Sequence, residues 1–164
     1  MGCFPEGLID WGAFYSAVQP HATFAAGVLF GVAWWIWGDA QLHSIAVGRS
    51  SFSPLTLLPG LVATAAVVLM NCVSREEVRE EPVYLGGDDA ATTRAKLLLL
   101  LSYLLSLGSI CGSVVMLVQA HQGGGDMWVG ASGVLQSCVV VTSGLICWFF
   151  HGGEDDGALG YGYL

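Results

Sequence analysis

Residues 22–42 read ATFAAGVLFGVAWWIWGDAQL, a run long enough for one helix to cross the roughly 30 Å hydrocarbon layer of a bilayer. It carries a single charged side chain, Asp39, about one helical turn beyond Trp34, Trp35 and Trp37. Indole rings concentrate where a bilayer meets water, so this end of the run predicts an interfacial anchor. Gly27 and Gly31 lie four residues apart on one helical face, where two missing side chains let a second helix approach closely. The stretch predicts a span, an anchor, a packing face and a terminal polar group.

The same character extends outward along the chain. Of 164 residues, 54% are hydrophobic and 11% charged, too apolar a balance for a soluble domain of this size. The mean hydropathy of +0.65 agrees. Apolar runs over 22–42, 55–73, 97–119 and 127–150 predict an all-α integral membrane four-helix bundle forming one membrane domain. Ahead of the first run, Leu8, Trp11, Tyr15 and Val18 recur at helical spacing between Pro5 and Pro20. They predict a short interfacial helix over residues 5–19, with Asp10 and Trp11 as its polar and aromatic interface residues. Residues 74–96 read as a solvated loop and 151–164 as an acidic, glycine-rich tail.

Charge sets an expected orientation and narrows the partners. The 74–96 loop holds Arg75, Arg79, Arg94 and Lys96, whereas the first connection has Arg49 alone and the third has no Lys or Arg. The positive-inside bias predicts cytosolic termini, with Asp39 toward the opposite side. The formal net charge of -8 comes almost wholly from residues outside the apolar runs and argues against nucleic acid as a partner. Within the third run, Ser102/Ser106, Gly108/Gly112 and Ser109/Ser113 repeat at intervals of four. That side is expected to face another helix, as is the polar pair Asn71 and Gln136, through hydrogen bonds between helices.

Residue types that carry chemistry are present but unarranged. His21, His43, His121 and His151 stand at span ends, without a second ligand at helical metal spacing. Cys3, Cys72, Cys111, Cys138 and Cys147 form no CxxC pair and are expected as small packing residues. No GxSxG elbow or phosphate-cradling glycine loop occurs, and the ionisable residues that mark intramembrane reaction paths are almost missing. The expectation is a non-enzymatic protein with no catalytic residue, cofactor or metal. Met1-Gly2-Cys3 is followed by Glu6 where myristoylation favours Ser or Thr, leaving palmitoylation of Cys3 as the open lipidation reading. The N-terminal segment lacks the basic start and cleavage site of a secretory signal and the Arg- and Ser-rich character of an organellar transit peptide.

Ile9-Asp10-Trp11-Gly12, Ala25-Ala26-Gly27-Val28-Leu29-Phe30, Trp34-Trp35 with Asp39-Ala40, Gly60 with Ala63-Thr64, and Asn71 with Val73-Ser74 and Val78-Arg79 together resemble the transmembrane protein 50 and vacuolar protein sorting 68 family. The likeness continues through Gly108-Ser109 and Gln136 with Gly144-Leu145. The resemblance implies a four-span protein of endosomes, Golgi or endoplasmic reticulum that assists sorting or endosome-to-vacuole traffic beside another small multi-span membrane protein. A hetero-oligomer surrounded by membrane lipids is expected more than an isolated monomer. A structural subunit of a larger membrane complex, organellar complexes included, is the competing expectation, followed by a lipid or ion channel.

Overall fold

The structure is a computed structural model that describes residues 11–49, 53–73 and 89–151. Among the described residues, helix α1 (Trp11–Ala46) is followed by a 3-10 turn (Pro54–Leu57) leading into α2 (Leu58–Asn71), then α3 (Asp89–Gln122) and α4 (Met127–His151). Four segments, Val18–Ala46, Pro54–Asn71, Thr93–Gln122 and Met127–Phe150, are long and apolar enough to cross a membrane. The chain is therefore an all-helical integral membrane bundle, as its apolar runs predict.

Helix α4 is the hub, packing along α1, α2 and α3, while α2 also lies against α3. Helix α1 takes nearly all of its packing from α4, so much of its circumference is left uncovered. The interior is small and polar. Ala33, Ala63 and Val140 form its apolar centre, with Phe30, Trp34 and Val67 packed around them. Ser102, Ser106, Ser109, Ser113, Ser132, Ser137 and Ser143 are also buried. The large side chains face outward, Leu97, Leu100, Leu104 and Leu107 of α3 among them. This inversion of a soluble core follows from the solvent. Lipid tails are as apolar as leucine, so burying leucine gains little, and close backbone approach between small residues provides the attraction.

The buried hydroxyls are satisfied mostly within their own helices. Ser106 donates to the Ser102 carbonyl at 2.8 Å, Ser132 to Val129 at 2.9 Å and Ser143 to Val140 at 2.7 Å. Ser109 instead donates across the bundle to the Pro59 carbonyl at 2.7 Å, tying α3 to the start of α2.

Three expectations differ from the structure. Residues 89–96, read as the end of the solvated loop, already belong to α3, which begins at Asp89. Pro20 does not end a separate interfacial helix: α1 runs through it, so residues 11–19 continue directly into the first span. Proline removes one backbone donor, but a membrane helix can absorb that loss through its neighbours. Residues 5–10 lie outside the described residues. The inward stripe of α1 is Ala22, Ala26, Ala33, Trp37, Ala40 and Ser44, not Gly27 and Gly31. Alanine is small enough for close packing here, which leaves the glycine pair to the outer surface.

Candidate functional site

The uncovered face of α1 carries Gly31, Trp34, Trp35, Gly38, Asp39 and Leu42 around a shallow depression of about 270 Å³. A Cβ built at Gly27, Gly31 or Gly38 would meet nothing within 4 Å. The glycines thus form an open notch beside Trp35, which is 80% exposed. The tryptophan cluster is divided between two surfaces. Trp35 points outward and Trp37 is buried, while Trp34 meets Trp37 edge-on at 5.9 Å. Asp39 is exposed on the outer side.

The other sequence candidates separate similarly. Gly108 and Gly112 also have no neighbour within 4 Å of a built Cβ, because the serines of α3 take its inward side. Asn71 is exposed and donates from Nδ2 to the Val67 carbonyl of its own helix at 2.9 Å, so it does not make the expected bond between helices. Gln136 is buried between α4 and α2, with its amide against Gly60, but its Nε2 has no hydrogen-bond partner. Trp11 opens α1, and Asp10 lies outside the described residues. The glycines that permit close approach are Gly60, Gly130 and Gly144, against Gln136, Leu117 and Val67 respectively. None of these three stands out by spacing, since each answers a partner on another helix.

A second feature occupies the end of the bundle where α1 and α3 finish and α2 and α4 begin. Trp37, Gln41, Thr56, Ser113 and Asp126 are among the residues lining a cavity of about 220 Å³. Gln41 donates from Nε2 to Thr56 Oγ1 at 3.0 Å, and Thr56 donates to the Ser53 carbonyl at 2.7 Å, fixing the turn to α1. Asp126 precedes α4 and accepts the Trp128 backbone N–H on Oδ1 at 3.1 Å, the geometry of a helix N-cap. A hydrogen bond from the Ser44 hydroxyl, then that backbone bond, hold its carboxyl below the ordinary 3.8; nearby Arg49 and His43 add to the effect. Trp37 Nε1 and Asp126 Oδ2 are buried without hydrogen-bond partners. An acidic residue directly before an apolar run is a sequence signal for the cap, whereas the meeting of Asp126 with Trp37 depends on tertiary packing.

Among the described residues, no three His, Cys, Asp or Glu side chains converge as a metal site. Cys72, Cys111, Cys138 and Cys147 are free thiols, with Cys72 and Cys111 exposed on the outer surface rather than packed. At the opposite end of the bundle, Trp148 donates from Nε1 to the Val73 carbonyl at 3.3 Å, closing α4 over the end of α2.

No solved structure matches the chain. Vacuolar protein sorting-associated protein 68 of Saccharomyces cerevisiae is 20% identical over 159 residues, covering 87% of this chain and 86% of the relative. A UPF0220 protein of Schizosaccharomyces pombe is 20% identical over 140 residues, covering 82% of each. The uncharacterised protein family UPF0220 matches residues 10–156, nearly the whole bundle. That agreement bears out the resemblance carried by the first two helices, and the chain belongs to the UPF0220 family.

Proposed function

We propose that this protein is a non-enzymatic component of vacuolar or endosomal protein sorting, and that it acts by holding a second small multi-span membrane protein against the open face of α1. The sorting role is supported by the likeness, over most of both chains, to a yeast relative whose name places it in vacuolar protein sorting. The observation that carries the association is the uncovered glycine notch at Gly27, Gly31 and Gly38. A helix laid there can approach the α1 backbone closely, with Trp35 beside it and Asp39 available at the membrane boundary. Endosome, Golgi and endoplasmic reticulum are the compartments that fit this role. The basic residues Arg75, Arg79, Arg94 and Lys96 between the second and third apolar runs favour cytosolic termini.

The test is recovery of bound proteins after purification in mild detergent, comparing the natural chain with the Gly27→Leu/Gly31→Leu double variant. A small multi-span protein should accompany the natural chain and be reduced at least tenfold with the variant, while both chains retain equal helicity. Equal recovery with both would remove α1 from the interface, and recovery of a large energy-converting complex would replace the sorting reading.

A further inference from the structure

The polar cavity has a chemical demand that the protein leaves unmet. Trp37 is 7% exposed, lines the cavity and presents an indole N–H with no acceptor. Asp126 lines the same cavity and has a buried carboxylate oxygen, Oδ2, with no donor. A buried donor and a buried acceptor without partners are each unfavourable, because neither recovers the hydrogen bond it made to water. An occupant that accepts one hydrogen bond and donates another would relieve both. A hydroxyl-bearing group does so, and a carboxylate beside an indole ring suits a polyol, which offers hydroxyls at its edge and C–H groups at its faces.

A second chamber of about 280 Å³ adjoins the first, sharing Gly125 and Asp126, and is lined by Arg49, Gly124 and Met127. Its Arg49 guanidinium suits a phosphate. The paired chambers therefore offer a phosphate position and a polyol position, joined at Asp126. Their walls come from the last three turns of α1 and α3, the 3-10 turn with the start of α2, and the first two turns of α4. Both chambers therefore lie at one end of the bundle, the end region where a lipid head group rather than its chains would meet the protein. The inner volume of 220 Å³ is several times the roughly 30 Å³ share of one water and admits a six-membered polyol ring.

We infer that this end of the bundle binds a phospholipid whose phosphate carries a polyol, of the phosphatidylinositol class, with hydroxyls meeting Trp37 Nε1–H and Asp126 Oδ2 and the phosphate meeting Arg49. The same carboxylate disfavours further phosphate groups on the ring, so the unphosphorylated head group is the preferred form.

The test titrates the full chain, purified in detergent, with phosphatidylinositol, its monophosphorylated form and phosphatidylcholine, reading bound lipid by native mass spectrometry. Phosphatidylinositol should bind at least tenfold more tightly than the other two. Trp37→Phe, which keeps the ring and removes the donor, should abolish that preference, as should Asp126→Asn. Trp35→Phe on the outer face should leave it intact. If Asp126→Asn does not fold, Trp37→Phe decides. Equal binding of the three lipids would mean that the cavity holds water only, and an unchanged preference in Trp37→Phe would mean that the lipid is selected elsewhere; either result would overturn the assignment. Equally tight binding of soluble glycerophosphoinositol would contradict a lipid ligand.

Discussion

A methyl group added at Gly144 would stand 2.5 Å from Val67 Cγ2 and 2.8 Å from its Cγ1, and one added at Gly130 would stand 2.9 Å from the Leu117 Cα. Neither obstacle can swing aside, since one is a β-branched side chain and the other is backbone. Gly144→Ala and Gly130→Ala should therefore each destabilise the bundle by about 1–3 kcal/mol, measured by unfolding in mixed micelles. Gly27→Ala and Gly31→Ala meet open space inside α1 and should leave stability unchanged or raise it by up to about 1 kcal/mol, since alanine favours the helix. Gln136 provides a test of opposite sign. Its Nε2 is buried without a partner, so Gln136→Met, which conserves volume and removes the unpaired amide, should raise thermal stability by about 1 kcal/mol. Asp126 sets a pH dependence. Its folded-state pKa is depressed, so its contribution is present above the ordinary value of 3.8 and is lost as pH falls through the lower folded value. The contribution of its cap to thermal stability should therefore be the same at pH 7 and pH 5, and Asp126→Ala should remove it at both, whereas Asp126→Asn keeps an acceptor for the Trp128 N–H and loses only the part due to charge.

At the scale of elements, α1 shows what a single sequence can and cannot convey. The positions of all four spans were legible because apolar length is a property of each segment alone. Which side of a helix faces inward was less so. In a soluble helix an apolar stripe marks the inner face, but here α1 carries alanine inward and Phe24, Val28 and Trp35 outward, and the contrast is one of size. The serine repeats of α3, Ser102/Ser106 and Ser109/Ser113, do face inward, but the glycine pairs Gly27/Gly31 and Gly108/Gly112 do not pack within the bundle, and Ala26 and Ala33 take the packed positions of α1. The continuation through Pro20 was likewise hidden, because proline is compatible with either a helix end or an uninterrupted membrane helix. The crossing point of Ser109 with Pro59 and the meeting of Trp37 with Asp126 depend on the arrangement of helices, which local spacing does not encode.

For the whole molecule, the arrangement is a hub, α4, with α2 and α3 packed on it and α1 attached along one side. The exposed leucines of α3 suit lipid chains, whereas the glycines of α1 leave a notch that fluid lipid fills poorly. If the termini are cytosolic, tags at both ends should be cleaved by protease added to sealed vesicles; protection of both would reverse the orientation. The central claim is that a second membrane protein covers the open face of α1. Its most direct test is crosslinking in intact membranes from a photoreactive residue in place of Trp35, with one in place of the outward Leu104 as reference. A discrete adduct with a small multi-span protein is expected from position 35 and lipid adducts alone from position 104. Lipid adducts alone from both positions would contradict it.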